Sequence, residues 1–318
     1  MATSKKKKVI IAGGTGLIGS NLANALIDGD YDVVVLTRST PNDNPVSKKI
    51  RTAHWDGQHL GSWADEINGA FAVVNLAGAS IAGENLFSIL FKRWSEKRKE
   101  LILQSRLTSG KILAEAIERA VIKPEVFIQA SGIGYYGTVS STPFSENAPA
   151  GNDFLAAVSR DWEASSASVI SMGVRHVIIR SGVVLSVSGG ILPLVALPIR
   201  LFVGGRLGGG NQPFPWIHIT DEVNAIQYLM EDNSSSGSFN LVSPGMTNLS
   251  NFGQRLAHVL HRPYSLPIPA FLLKLVLGEK SILILEGQQA VPANLVKQGF
   301  KFNFPETLSA LQDLFSEP

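Results

Sequence analysis

Residues Val9–Leu26 read VIIAGGTGLIGSNLANAL, and this stretch decides the fold. Its first four residues are apolar, as in a buried strand, whereas the residues after Gly19 have the apolar spacing of a helix. Gly13, Gly16 and Gly19 fall between the two. In a dinucleotide-binding turn, one glycine allows a tight bend, one lets a diphosphate approach bare backbone, and one lets helix and strand pack closely. The stretch therefore predicts dinucleotide binding, with a plain tight turn as the alternative.

The end of the predicted second strand indicates which dinucleotide is bound. Leu36 is followed by Thr37, Arg38 and Ser39, at the place where an NAD site usually presents a carboxylate to the ribose hydroxyls. The guanidinium of Arg38 suits a 2′-phosphate instead, and the hydroxyls of Thr37 and Ser39 can donate to it. We therefore predict NADP (NADPH in its reduced form) over NAD. The alternative is a surface arginine at a strand end.

The first 183 residues alternate short apolar runs with helical patterns, as βαβ units do around a parallel sheet. The runs are apolar throughout, which indicates that both sheet faces are covered. We expect strands at residues 9–12, 32–37, 52–55, 72–75, 126–130 and 176–180. The fold class predicted is α/β, a Rossmann-type doubly wound parallel sheet with a smaller C-terminal substrate lobe. We assign 1–183 to a dinucleotide-binding domain, with 220–242 returning to its sheet, and 184–219 and 243–318 mainly to the lobe.

Composition excludes several classes of function. A net charge of +2, with 17% charged residues, is too small to indicate a nucleic-acid surface. The chain has no cysteine, so thiolate metal sites and cysteine nucleophiles are excluded. The apolar run at 191–203 contains Pro193, Pro198 and Arg200, whereas a membrane span needs about 20 uninterrupted apolar residues. We therefore expect no nucleic-acid partner, no integral membrane segment and a cytoplasmic protein.

Further motifs make the chain resemble a known superfamily. They are NLAG at Asn75–Gly78, WSEKRKELILQSR at Trp94–Arg106, SGIGYYG at Ser131–Gly137, FLAAVSRDWE at Phe154–Glu163 and GGRLGGGNQPFPWIHITD at Gly204–Asp221. With GGTGLIG, these resemble the extended short-chain dehydrogenase/reductases. The match is greatest with an atypical, epimerase-like branch sometimes labelled cell-division inhibitors.

The resemblance implies a cofactor site as well as a fold. It places NADP in the cleft of a Rossmann-type sheet. Carried over by position, it puts Gly13, Thr15, Gly16, Leu17 and Ile18 along the pyrophosphate, Arg38 at the adenosine phosphate, Asp56 near the adenine, and Ala77 and Gly78 under the ribose.

The catalytic pair of the superfamily does not carry over. Active members use a tyrosine and a lysine four residues later for proton transfer, and a serine that orients the substrate oxygen. Counting from Glu163, the tyrosine position falls on Leu155 and the lysine position on Ser159. Counting from Gly137, the serine position falls on Gly132. Because loss of acid–base catalysis typically removes a factor of roughly 10² to 10⁴, we leave open whether the protein is an enzyme.

Other side chains could replace the missing proton-transfer pair. Ser131, Tyr135 and Tyr136 follow the predicted fifth strand and are our candidate catalytic residues. The alternatives are a structural serine and aromatic packing beneath the cofactor. Glu146 and Asp153 could act as a base, although a solvated loop charge is the interpretation we favour.

Other polar residues are candidates for binding. Gln212 and Trp216 could orient a substrate, with packing as the alternative, and Arg106 could reach a cofactor phosphate or an anionic substrate. His218 and Asp221 lack a third ligand, so we expect no metal.

Two hypotheses of function follow. The first is an NADP-binding atypical extended short-chain dehydrogenase/reductase, an oxidoreductase or epimerase-type enzyme acting on an unidentified small-molecule substrate. The second is a catalytically silent NADPH-sensing regulatory protein, linked through the label of its branch to cell division. Either could form a homodimer or bind a protein partner. The amphipathic C-terminal run at 269–288 could cover the substrate cleft, form a subunit contact or touch a membrane surface, although covering the core is the interpretation we favour.

Overall fold

A computed structural model describes residues 6–38, 50–83, 93–138 and 142–316. Its centre is a sheet of seven parallel strands in the order β3-β2-β1-β4-β5-β6-β9. The strands in these ranges are β1 (Lys8–Ala12), β2 (Asp32–Thr37), β3 (Arg51–His54), β4 (Ala72–Asn75), β5 (Val126–Gly132), β6 (Arg175–Ser181), β7 (Val183–Leu185), β8 (Trp216–His218) and β9 (Gly237–Leu241). The order reverses between β1 and β4, and this is where such sheets bind ligands.

Helices cover both faces of the sheet. Within the described residues, the α-helices are α1 (Leu17–Asp28), α2 (Glu96–Arg119), α3 (Phe154–Ala164), α4 (Leu192–Arg200), α5 (Ile219–Glu231), α6 (Leu249–Val259), α7 (Ala270–Leu277), α8 (Ile282–Leu285), α9 (Ala293–Lys297) and α10 (Thr307–Phe315). Shorter 3₁₀ turns lie at Ser62–Ile67, Ile133–Tyr136, Ala167–Met172 and Gly278–Ser281.

Alternate strand residues enter two separate cores. Ile11 of β1 packs in one core with Leu22 of α1, and Ile10 packs in the other with Leu113 of α2. All four of these side chains are fully buried. Continuous apolar strands are thus explained by two buried faces, and the predicted Rossmann-type doubly wound sheet is confirmed.

The C-terminal part of the chain adds a third core. β7 and β8 form a separate two-stranded parallel sheet, and Trp216 packs there with Phe252 and Leu311. Within 220–242, α5 packs on the main sheet and β9 pairs with β6. Among the described residues, no helix is both long and apolar enough to traverse a bilayer.

Candidate functional site

The glycine turn between β1 and α1 leaves no room for side chains. Gly13 has φ +79°, and a Cβ there would lie 2.7 Å from the carbonyl oxygen of Leu76. A Cβ on Gly19 would lie 2.3 Å from the carbonyl oxygen of Gly13. The first glycine is therefore required for the bend, and the last for the close packing of helix against turn.

The amino end of α1 is open. Gly16 is its N-cap residue, and no side chain caps the helix. The first-turn amides and the positive end of the helix dipole are therefore available to an anion.

A cleft of about 530 Å³ lies at this end of the helix; we call it the switch-point cleft. Eight of the predicted cofactor residues line it, namely Gly13, Thr15, Gly16, Thr37, Arg38, Asp56, Ala77 and Gly78. Leu17 and Ile18 stand at the start of α1 beside it, with the Leu17 side chain near Gly189 and Gly190. Ser39 lies outside the described residues.

Arg38 and Asp56 face this cleft from neighbouring strand ends. Arg38 is exposed and follows β2. Asp56 accepts the amides of Gln58 and His59, each at 2.8 Å, and its Oδ2 lies 2.7 Å from His59 Nδ1. The His59 contact and these amides lower the pKa of Asp56. Asp56 therefore stays charged while ordering its own loop.

Arg106 supports the cleft from behind. It donates to the carbonyl oxygens of Ala79 and Ile102, each at 2.9 Å, and its guanidinium lies 4.8 Å from the ring centre of Trp162. Burial lowers its pKa to about 10. Arg106 thus holds the loop after Gly78, and its position is behind the cleft wall instead of in the lining.

The ends of β5 and β6 carry a buried polar network. Ser131 Oγ donates to Glu163 Oε1 at 2.7 Å. Arg180 donates to both oxygens of Glu163, each at 2.8 Å, and to the hydroxyl of Tyr136 at 3.0 Å. Tyr136 in turn donates to Asn240 Oδ1 at 2.7 Å. The network ties the turn after β5 to α3, β6 and β9.

The two candidate tyrosines occupy different environments. Tyr136 is buried and stacks on Phe144 with ring centres 5.0 Å apart, and burial raises its pKa. Its position fits the packing alternative. Tyr135 is half-buried, the Arg180 guanidinium lies 3.5 Å from its ring centre, and its hydroxyl makes no hydrogen bond to a described residue. Tyr135 is therefore the more available proton donor.

The altered positions of α3 face the same turn. A Cβ on Gly134 would lie 3.3 Å from Leu155 Cβ and 3.9 Å from Ser159 Oγ. Asp153 caps the helix by accepting the amide of Ala156 at 2.9 Å. The helix thus directs Leu155 and Ser159 toward the end of β5, where neither side chain can replace a tyrosine and lysine.

Two carboxylates are buried although the sequence did not predict their burial. Glu146, which we expected to be a solvated loop charge, is buried, and its Oε1 accepts the amides of Asn240 at 3.0 Å and Asn294 at 3.1 Å. That interpretation is wrong because Glu146 satisfies backbone groups of two distant segments. Glu222 was not predicted at all; it is fully buried beside Ser181. The one feature of the sequence that could have drawn attention to Glu222 is its position next to Asp221 at the start of a helix.

A second cleft of about 350 Å³ lies in the C-terminal region; we call it the lobe cleft. Trp216 lines it, and its Nε1 donates to the carbonyl oxygen of Gly245 at 3.1 Å. Gln212 instead donates to the carbonyl oxygens of Leu207 at 3.2 Å and Ile284 at 2.8 Å. Gln212 therefore joins its own loop to α8 beside the cleft, whereas Trp216 forms part of the cleft wall.

The lining of the lobe cleft is polar without being charged. It contains five amide side chains, and no charged side chain belongs to it among the described residues. The amides are those of Asn211, Asn248, Asn251, Gln288 and Gln289. Asn248 caps α6, with its Oδ1 accepting the amide of Asn251 at 2.8 Å, so the amino end of that helix is already satisfied.

The sheet order, glycine turn and switch-point cleft together define a Rossmann-type α/β protein. The model of the NAD dependent epimerase/dehydratase family matches residues 9–242, and a domain of unknown function, DUF1731, matches 268–314. The chain therefore belongs to the NAD-dependent epimerase/dehydratase family, and the family expected from the motifs is confirmed.

Individual relatives support the same assignment. The epimerase family protein SH2119 of Staphylococcus haemolyticus is 37% identical over 310 residues, covering 97% of this chain and 99% of the relative. The epimerase family protein YfhF of Bacillus subtilis is 34% identical, covering 97% and 98%.

Solved structures match over nearly the whole chain. The human epimerase family protein SDR39U1 (isoform 2), crystallised with NADPH, is 31% identical with a TM-score of 0.84, covering 96% of this chain and 98% of that one. A nucleoside-diphosphate sugar epimerase from Corynebacterium glutamicum is 29% identical with a TM-score of 0.76, covering 98% of this chain and 58% of that one.

Proposed function

We propose that this chain binds NADP(H) in the switch-point cleft and is an oxidoreductase or epimerase-type enzyme acting on a small polar molecule. The observation that carries the proposal is the uncapped amino end of α1 facing the same cleft as Arg38. The human relative crystallised with NADPH supports it.

The lining residues divide the work of holding the cofactor. The amide of Thr15 and the first-turn amides of α1 suit the diphosphate, whereas the Gly16 amide already donates to the carbonyl oxygen of Gly13 at 3.0 Å. The fixed positive charge of Arg38 suits the 2′-phosphate. Ala77 and Gly78 offer a side-chain-poor wall for a ribose. The side chains of Leu17, Ile18, Thr37, Asp56 and Arg106 shape the walls and hold the loops.

Proton handling must differ from that of the wider superfamily. Nicotinamide supplies hydride exchange when the cofactor is bound. Tyr135 Oη is the proton donor we propose, because its hydroxyl bonds to none of the residues that the structure describes and a guanidinium lies against its ring. Ser131 and Tyr136 keep the turn in place through their bonds to Glu163 and Asn240.

The lobe cleft is the substrate site that we propose. Amides and a tryptophan can orient hydroxyl, amide or carbonyl groups. A nucleoside diphosphate would need cations or open amides to replace its solvation, and the described lining offers no charged side chain. We therefore infer an uncharged polar substrate.

A sensor without catalysis is the second candidate. It is favoured by Leu155 and Ser159 lying where a proton-transfer pair would stand. A sensor needs a partner surface, and α7 offers one, since Leu277 is its only buried residue. Its exposed apolar side chains include Phe271 and Leu275. Cytoplasmic location and partner binding stay predictions.

One experiment separates the two candidates. The purified chain is titrated with NADPH by fluorescence, and NADPH oxidation is then followed with panels of uncharged aldehydes, ketones and sugars and with nucleotide sugars. We expect binding together with turnover of an uncharged carbonyl compound. Binding without turnover on any panel would favour the sensor, and absence of NADPH binding would contradict both.

A further inference from the structure

A hydroxyl and a buried carboxyl meet at the end of β6. Ser181 is the last residue of this strand, and its Oγ donates to Glu222 Oε1 at 2.6 Å. Glu222, on the first turn of α5, has no exposed surface, and its Oε2 has no hydrogen-bond partner within the described ranges. Burial raises the pKa of Glu222 to about 8, and the bond from Ser181 opposes that rise. The carboxyl is therefore mainly neutral at pH 7.

Charged groups on the surrounding elements are engaged elsewhere. Asp221 accepts the amides of Asn303 and Phe304, and His218 faces Asp313. On β6, Arg180 pairs with Glu163, His176 faces Ser166, and Arg175 donates to the carbonyl oxygens of Leu229, Met230 and Ser235. At the outer ends of α1 and α5, Asp28 is exposed and Glu231 accepts from Tyr31. Ser181 is thus the polar partner that the described structure gives to Glu222.

The strand register places this pair beside an altered position. Ser181 is the partner of Gly132 across β5 and β6, and Gly132 is where the superfamily pattern expects a serine. Ligands of open parallel sheets bind outside the carboxyl ends of the strands. Ser181 is half-buried and ends β6. Its hydroxyl therefore lies at the carboxyl edge of the sheet, one strand away from Gly132, where the superfamily pattern has a serine hydroxyl.

We propose that the Ser181–Glu222 pair supplies the hydrogen-bonding group of this site in place of the hydroxyl absent at Gly132, and that it adjoins the nicotinamide end of the bound cofactor. This inference rests on the proposed NADP(H) binding. A neutral carboxyl can donate to Ser181 Oγ, which frees the hydroxyl proton for another acceptor at this edge of the sheet. An ionised carboxyl would instead accept that proton and add a negative charge at this edge of the sheet.

The pair should therefore distinguish the two oxidation states of the cofactor. The nicotinamide ring is cationic when oxidised and neutral when reduced. Ionisation of Glu222 would strengthen NADP⁺ binding relative to NADPH, by about fivefold for one charge pair at partly screened distance. Effects of pH on the shared phosphates cancel in the ratio of the two dissociation constants.

The test measures that ratio across a pH range. Dissociation constants of NADPH and NADP⁺ are determined from about pH 6 to 9.5 for the wild type, Glu222→Gln, Ser181→Ala and the control Ser235→Ala. Ser235 is buried, and its hydroxyl bonds to Asp232 and Gln298 before β9 begins. The wild type and S235A should gain NADP⁺ preference as pH rises, E222Q should show a flat ratio, and S181A should shift the midpoint upward because a bond that lowers the Glu222 pKa is lost.

The outcomes separate this inference from the proposed function. A flat ratio in the wild type, or an E222Q profile like that of the wild type, would overturn the role of the pair while leaving NADP(H) binding intact. Failure of the wild type to bind NADPH at any pH would overturn the proposed function itself. If S181A fails to fold, the comparison of E222Q with the wild type still tests the role of the Ser181–Glu222 pair.

Discussion

Glu163 and Arg180 face each other through two parallel hydrogen bonds of 2.8 Å at the end of β6. Their side chains are 9% and 4% exposed, so the pair is nearly removed from water. Glu163 also accepts from Ser131, and Arg180 also donates to Tyr136. The turn after β5 therefore keeps its shape through this pair although α3 carries no tyrosine–lysine pair.

Removing one partner of this ion pair should destabilise the fold strongly. Arg180→Met leaves the Glu163 carboxylate buried without its counter-charge, which typically costs about 3–5 kcal/mol. The free energy of unfolding, measured by denaturant titration, is the readout. The double variant Glu163→Leu/Arg180→Met is the control and should recover part of the loss. A single variant as stable as the wild type would contradict the account of the network.

The glycine turn predicts a contrast between two alanine substitutions. Gly19→Ala should weaken NADPH binding by at least about tenfold, because a Cβ 2.3 Å from the Gly13 carbonyl oxygen forces the turn to move. Gly209→Ala is the matched control, since nothing lies within 4 Å of its added Cβ. Fluorescence titration with NADPH measures both. Equal affinities for the two variants would show that the turn does not hold the cofactor.

Stability should depend on pH through Glu222. Its pKa is about 8 in the folded chain against 4.5 for the ordinary side chain, so the folded state favours the protonated form. The stabilisation is complete below pH 4.5 and is lost as pH rises toward 8. Glu222→Gln removes this loss and should be more stable than the wild type above that pH, by about 1–3 kcal/mol. Identical pH profiles of thermal unfolding would contradict a neutral buried carboxyl.

The two neighbouring tyrosines provide a matched pair of variants. Tyr136→Phe removes a buried hydroxyl that bonds to Arg180 and Asn240, and should lower the free energy of unfolding by about 1–2 kcal/mol. Tyr135→Phe should leave stability unchanged and lower turnover of the carbonyl substrate by roughly 10² or more. Denaturation and NADPH oxidation measure the two effects. Turnover unaffected in Y135F would remove Tyr135 from the proposed chemistry.

Local sequence was enough to predict the architecture. Apolar strands such as β1 and β4 are followed by turns and helices at the expected places, and the glycine turn sets where α1 begins. These features depend on residues close together in the chain. Eight of the residues expected at the cofactor do line one cleft, because they fall at the ends of neighbouring parallel strands.

Long-range polar pairing could not be predicted in the same way. Glu146 lies 94 residues from Asn240, whose amide it accepts, and Ser181 lies 41 residues from Glu222. No local pattern shows that either carboxyl is buried. Arg106 illustrates the same limit, since its helical position was clear but the carbonyl groups that orient its side chain lie partly in another loop.

The most direct test of the account is the discrimination between NADPH and NADH by Arg38. Dissociation constants for both are measured on the wild type, Arg38→Ala and the control Arg119→Ala, an exposed arginine paired with Glu115 on α2. Loss of a charge-assisted contact to the 2′-phosphate should weaken NADPH binding by about 10- to 100-fold and leave NADH binding unchanged. The wild type and R119A should prefer NADPH. Equal affinity of the wild type for the two nucleotides, or an R38A variant that still prefers NADPH to the same degree, would contradict the central claim.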